Sequence, residues 1–142
     1  MQLSPNFSLA ELTVTGKPFD NTPNAKQVES LRALAVTILQ PLRDAIGKPI
    51  RVTSAYRSPQ VNAAVKGSKT SQHLKGEAAD IKVPGMTAHQ VALKIVELGL
   101  PFDQVINEFD SWVHVSYGPR NRRDRRKAVK QGDRTVYLPN TL

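Results

Sequence analysis

Two short segments, Ala78–Val83 and Trp112–Tyr117, alternate polar and apolar side chains with a period of two, and this alternation constrains the fold more than anything else in the chain. Successive side chains of a β-strand point to opposite faces of its sheet. Ala79, Ile81 and Val83 therefore share one face of the first segment, and Asp80 and Lys82 the other. In the second, Val113, Val115 and Tyr117 share one face, while Trp112, His114 and Ser116 share the other. If both strands lie in one sheet and bury their Val/Ile faces, Asp80 and His114 emerge together on the opposite, cleft side.

The rest of the chain reads as helices and strands around that sheet. Ser8 and Glu11 form a capping box for a short helix through Leu12. Thr22 is expected to cap a longer helix with Pro23 at its first position. Val28, Leu31, Leu34, Ala35, Ile38, Leu42 and Ile46 then recur at helical spacing as one apolar stripe, with Pro41 kinking the helix and Gly47 ending it. Ile50–Ser54 reads as a strand, Ser58-Pro59 starts a short helix toward Val65, and Lys66–Gln72 is a polar loop. Thr87 and Gln90 make a second capping box for a helix through Leu98, stopped by Gly99. Asp103–Phe109 and Trp112–Tyr117 read as a hairpin across Asp110-Ser111. The expected class is α+β, with helices packed on one face of a small antiparallel sheet and a cleft on the other. The 142 residues, 39% hydrophobic and 23% charged, suit a single globular domain over residues 1–142.

Histidine is scarce in this chain, yet His73 and His114 fall where the alternation and a neighbouring loop can bring them toward Asp80. Zinc accepts imidazole nitrogen and carboxylate oxygen, and a catalytic site keeps three protein ligands with one position open to water. The spacing is not that of one helix face, where ligands sit at i and i+4. Gly76 falls between His73 and Asp80, which points to a loop, a turn and then a strand. Spacing alone is equally satisfied by a loop histidine, a solvated aspartate and a half-buried histidine that never meet. The third histidine, His89, has no acidic or imidazole partner near it in sequence and reads as a solvated residue in a first helical turn.

Four motifs taken together carry a resemblance. Ser54-Ala-Tyr-Arg-Ser-Pro-Gln-Val-Asn62, Gly67-Ser-Lys-Thr-Ser-Gln-His73, Gly76-Glu-Ala-Ala-Asp80 and Trp112-Val-His-Val-Ser116 resemble the zinc D-Ala-D-Ala carboxypeptidase family. That family includes VanY-like carboxypeptidases and phage endolysins, among them L-alanyl-D-glutamate endopeptidases, and is related to the hedgehog-like zinc fold. The likeness runs from the Asn6–Leu12 opening to about Tyr117. It implies a peptidase with one zinc ion per chain, held by His73, Asp80 and His114, acting on peptidoglycan stem peptides. It also implies that Arg57, with Ser54 and Tyr56 in the matching Ser-x-Tyr-Arg segment, grips a substrate carboxylate or steadies a tetrahedral oxyanion. Ser71, two residues before the first ligand, is a candidate for the substrate channel or a solvated serine.

The general base departs from the family pattern. Relatives often carry a Glu three residues before the last ligand or a His two before it, and here those positions are Ser111 and Trp112. The nearby acids are Glu108 and Asp110. A three-residue loop, Phe109–Ser111, would pair Glu108 with Trp112 on the His114 face; a two-residue turn would pair it with Val113, facing away. Asp110 suits a turn. Glu108 is therefore the preferred base, Asp110 the alternative, and Trp112 an apolar wall that packs on substrate.

Charge supplies a separate clue. Eight basic and two acidic residues lie between Arg120 and Arg134, giving +6 of the formal +8. A basic segment at about 119–142 could attract anionic envelope polymers or nucleic acid, or simply form a solvated tail. The rival readings are thus a nucleic-acid-binding protein and a non-catalytic zinc-binding virion or tail component. Cysteine is absent, so neither disulfides nor thiolate ligands are available. No apolar run is long enough to span a bilayer, and Met1–Phe7 lacks the basic and apolar regions of a signal peptide. The expectation is a monomer, cytoplasmic on synthesis, that meets the wall as an endolysin once the membrane is permeabilised.

Overall fold

The computed structural model describes residues 1–142. In chain order its elements are β1 (Gln2–Ser4), β2 (Phe7–Ser8), α1 (Leu9–Leu12), α2 (Ala25–Leu34), a π-helical stretch (Ala35–Leu39), α3 (Gln40–Ile46), β3 (Arg51–Ser54) and α4 (Pro59–Ala64). There follow a 3₁₀ turn (Gln72–Lys75), β4 (Ala78–Lys82), α5 (Ala88–Glu97), β5 (Gln104–Glu108), β6 (Trp112–Ser116), β7 (Asp124–Gln131) and β8 (Arg134–Pro139). No helix is long and apolar enough to cross a membrane.

Helix starts follow local chemistry. The Ser8/Glu11 and Thr87/Gln90 boxes cap α1 and α5 as expected. The cap of α2 is Asn24, not Thr22. Asn24 Oδ1 accepts from Gln27 N at 2.9 Å, and Gln27 Oε1 accepts from Asn24 N at 2.8 Å. A start at Thr22 would place Ala25 where the reciprocal acceptor must stand, so the later box satisfies one more orphan N–H. Thr22 instead donates to Asp20 Oδ1. Around Pro41, which has no N–H to give the helical ladder, the chain widens into the π-helical stretch and continues as α3. Gly47 closes α3 in the left-handed conformation, φ +65°.

The main sheet has six strands in the order β3-β4-β6-β5-β7-β8, with β1 and β2 forming a separate antiparallel pair. It is mixed, which corrects the expectation of a purely antiparallel sheet: β7 runs parallel to β5, from Gln104 opposite Asp124 to Glu108 opposite Ala128. The chain leaves β6 beside Gln104, crosses through residues 117–123 and enters β7 at that same end of β5. The basic segment is therefore not a tail. It is a β-hairpin that extends the sheet by two strands.

Alternation sorts the two faces as the sequence requires. Ala79, Ile81, Val105, Val113 and Val115 are fully buried and join Leu31, Leu34, Ile38, Leu39, Val91 and Ile95 of the helices in one core cluster. That burial is what makes the register costly to shift, because a one-residue slip would turn Asp80 and His114 into the core.

Gly76 marks the tightest joint between the sheet and α2. Its φ is +72°, and a Cβ there would lie 2.7 Å from the Gln27 carbonyl oxygen and 3.2 Å from Leu31 Cγ. Gly76→Ala is expected to destabilise the fold by about 1–3 kcal/mol or more, from left-handed strain plus a backbone clash. Thermal unfolding reads the loss directly, and an unchanged midpoint would mean that the joint is loose.

Candidate metal centre

His73 reaches the centre from the 3₁₀ turn. Ser71 caps that turn by accepting from His73 N at 3.2 Å. The turn is stitched to the segment after β3 in both directions: Arg57 N donates to the His73 carbonyl at 3.0 Å, and His73 Nδ1 lies 2.7 Å from the Ala55 carbonyl. A carbonyl only accepts, so Nδ1 carries the proton and the Nε2 lone pair is left for a ligand. Nε2 points at Asp80 Oδ1, 3.3 Å away.

Asp80 and His114 stand directly opposite each other on β4 and β6. His114 Nδ1 is 3.3 Å from the same Asp80 Oδ1. One ligand atom from each of His73, Asp80 and His114 lies within 4.8 Å of the others, and His73 and Asp80 are buried. Two imidazoles converging on one carboxylate oxygen, with no cysteine, form a nitrogen/oxygen donor set that suits zinc. The residues fit the ion. Burial works against ionising Asp80; with their rings protonated, His73 first and then His114 would outweigh it and hold the carboxyl well below the usual carboxylate range.

Arg57 completes the support. Its Nη2 donates to Asp80 Oδ2 at 3.1 Å and its Nε to Ser54 Oγ at 3.0 Å, while Nη1 is 3.4 Å from Asn62 Oδ1. Arg57, expected to grip a substrate carboxylate or an oxyanion, is here bonded to the Asp80 carboxylate, and lines the cleft at the same time. Asn21 is a supporting residue that the sequence did not reveal. Its side chain donates to the carbonyls of Thr13 and Tyr56 and accepts from Ser58 N at 2.7 Å, which fixes the path on either side of Arg57. Tyr56 lies in the hydrophobic core and is not among the residues lining the cleft: the chain leaves the strand alternation after Ser54, and Ala55 and Tyr56 are both buried.

The cleft has a volume of about 700 Å³ and holds the metal-ligand cluster in its floor. Glu108 and Trp112 face each other across β5 and β6, so the hairpin loop is the three-residue alternative, Phe109–Ser111, and Glu108 shares the His114 face. Burial pushes the Glu108 carboxyl up; His114 and Arg57 oppose that, and Asp80 adds to it. Asp110 sits at the loop tip with φ +56°, bonded to Asn107 and 3.4 Å from Lys127 Nζ, and does not line the cleft. Ser71, Trp112 and Phe109 all line it, the two rings tilted with centroids 5.8 Å apart. His89 is exposed and apart from the cluster.

A second buried carboxylate ties the ligand turn to the C-terminal hairpin. Asp103 is fully buried and accepts from Arg122 Nε and Nη2, both at 3.0 Å, from Arg122 N at 2.8 Å and from Gln72 Nε2 at 2.9 Å. Gln72 is the neighbour of His73, so the bidentate pair braces the turn that presents the ligand.

A family model described as Peptidase M15 matches residues 5–116. A comparison with curated proteins gives no match.

Proposed function

Because the chain belongs to the M15 zinc D-Ala-D-Ala carboxypeptidase/VanY-like family, we propose that it is a zinc metallopeptidase cutting a peptide bond in peptidoglycan stem peptides. The observation that carries this reading is the placement of Glu108 on the same sheet face as the convergent His73–Asp80–His114 cluster, in one cleft. His73 Nε2, Asp80 Oδ1 and His114 Nδ1 would hold the ion. When bound there, zinc supplies Lewis-acid polarisation of the scissile carbonyl and brings the pKa of water toward ~7. The Glu108 carboxylate takes the proton from the attacking water and returns it to the leaving nitrogen, and its raised pKa suits both tasks. Trp112 and Phe109 wall the site on the apolar side, and Arg57 keeps Asp80 in place.

The endolysin role extends the same reading and rests on the resemblance of residues 54–80 and 112–116 to phage wall-cutting enzymes. The basic run, which favours the nucleic-acid alternative, is partly engaged within the protein, while Arg123, Arg125, Lys130 and Arg134 form no ion pair. Arg120 and Arg122 are engaged with Asp103, and Lys127 with Asp110.

Incubation of the zinc-loaded protein with purified peptidoglycan should release new amino termini from stem peptides, and a chelator should stop the release. Mass spectrometry of the products then tells a D-Ala-D-Ala cut from an L-Ala–D-Glu cut. Intact peptidoglycan with fully zinc-loaded protein would overturn the proposal.

A further inference from the structure

The family match ends at residue 116, and β7–β8 lies beyond it. The register nevertheless carries one row of side chains from the metal cluster into this hairpin: Asp80 opposite His114, His114 opposite Ile106, Ile106 opposite Arg126. All four line the cleft. Neighbouring strands lie about 4.8 Å apart, so Arg126 stands on the order of 10 Å from His114. Extended peptide advances about 3.3–3.6 Å per residue, which makes that span roughly three residues of substrate.

The Arg126 guanidinium is held in one orientation. Asp124 Oδ2 accepts from Arg126 Nε at 2.7 Å and from Gln104 Nε2, also at 2.7 Å. That clamp takes the Nε edge of the fork, and neither Nη nitrogen makes a hydrogen bond within the protein. Lys130 stands farther along the same face of β7, with Nζ 5.3 Å from the Phe109 ring centre and 3.2 Å from Thr135 Oγ1, and forms no ion pair. This wall of the cleft therefore presents the two Arg126 Nη nitrogens with no acceptor inside the protein, and beyond them an ammonium with no carboxylate partner.

We propose that Arg126, with Lys130 beyond it, forms a carboxylate-binding subsite that sets where the substrate is cut. The ligand class is a peptide carrying a carboxylate about three residues from the scissile bond. This deepens the peptidase reading and rests on it. The carboxylate could be an acidic residue within the peptide or its free C-terminus. Both offer the same planar acceptor to a guanidinium, and the two are separable by amidation.

The test is calorimetric, on zinc-loaded Glu108→Gln, which is expected to bind without turning over. The probes are a synthetic stem pentapeptide, the same peptide amidated at its internal carboxylate, and the same peptide amidated at its C-terminus. One of the two amidations should weaken binding by about 10- to 100-fold, the range for a charge-assisted hydrogen bond. Adding Arg126→Gln, whose amide still reaches toward Asp124, should abolish that difference. Arg125→Ala removes the same charge from the opposite face of β7 and should preserve it. The proposal is overturned if Arg126→Gln keeps the full preference with unchanged zinc content and melting temperature, or if neither amidation matters. Arg126-dependent binding of an oligonucleotide that the peptide cannot displace would also overturn it. Cleavage of peptidoglycan by the unsubstituted protein tests the underlying reading separately, so loss of the subsite and loss of the activity are told apart.

Discussion

His73→Ala, Asp80→Ala and His114→Ala should each lower zinc content well below one ion per chain and eliminate hydrolysis, whereas His89→Ala should do neither. The three ligand atoms come from a turn and two neighbouring strands and lie within 4.8 Å of one another. Removing one leaves two protein donors, too few for a stable zinc site in a chain that has no cysteine to substitute. Asp80→Ala has a further consequence, since it leaves the Arg57 guanidinium partly buried without its carboxylate. That variant should also melt lower, by about 3–5 kcal/mol if the pair behaves as a fully buried one and by less for the exposure that remains. Metal analysis of dialysed protein reads the first effect and thermal unfolding the second. Full zinc content in all three variants would mean that the cluster is not the metal site.

Glu108→Gln should retain zinc and lower turnover by roughly two to four orders of magnitude, the usual contribution of a positioned base. The amide keeps the shape of the side chain and touches none of the three ligand atoms, so binding and chemistry separate cleanly. Asp110→Asn should cost little, because Asp110 sits outside the cleft and its bonds to Asn107 serve the turn. Steady-state rates on peptidoglycan, with zinc content measured on the same samples, decide between them. A dead Asp110→Asn beside an active Glu108→Gln would move the proton to the loop tip.

What could be read from the sequence was what local chemistry determines. The period-two alternation placed Asp80 and His114 on one face because strand geometry does so wherever the apolar partners are buried. The boxes at Ser8 and Thr87 each lie within four consecutive residues. The start of α2 was misread although Asn24-x-x-Gln27 was in view, because Thr22-Pro23 offers a competing start of similar local quality. The side on which Glu108 emerges depended on loop length, and Phe109 and Asp110 adopt positive φ without the glycine that advertises such a turn. The pairing of Arg57 with Asp80 was hidden, since the Ser54–Asp80 neighbourhood follows from sheet register and not from spacing. The C-terminal hairpin was missed for a different reason. β7 carries charge on both faces, so no apolar alternation announced it; the Thr135–Leu138 run of β-formers and the Gly132-Asp133 reversal were the signals that the basic run obscured.

That hairpin gives the cleft two sides of unequal stiffness. Ala128 is the only buried residue of β7 and β8, and β8 pairs with nothing beyond β7. An edge strand such as β8, paired on one side only and with no buried residue, belongs to the part of a protein that opens first, well before global unfolding. The ligand side is anchored in the middle of the sheet, over fully buried valines and isoleucines. Amide exchange should therefore run faster in β8, Arg134–Pro139, than in β4 and β6 around Asp80 and His114. The molecule is held most firmly where three ligand atoms must keep fixed distances, and least firmly along its outermost strand.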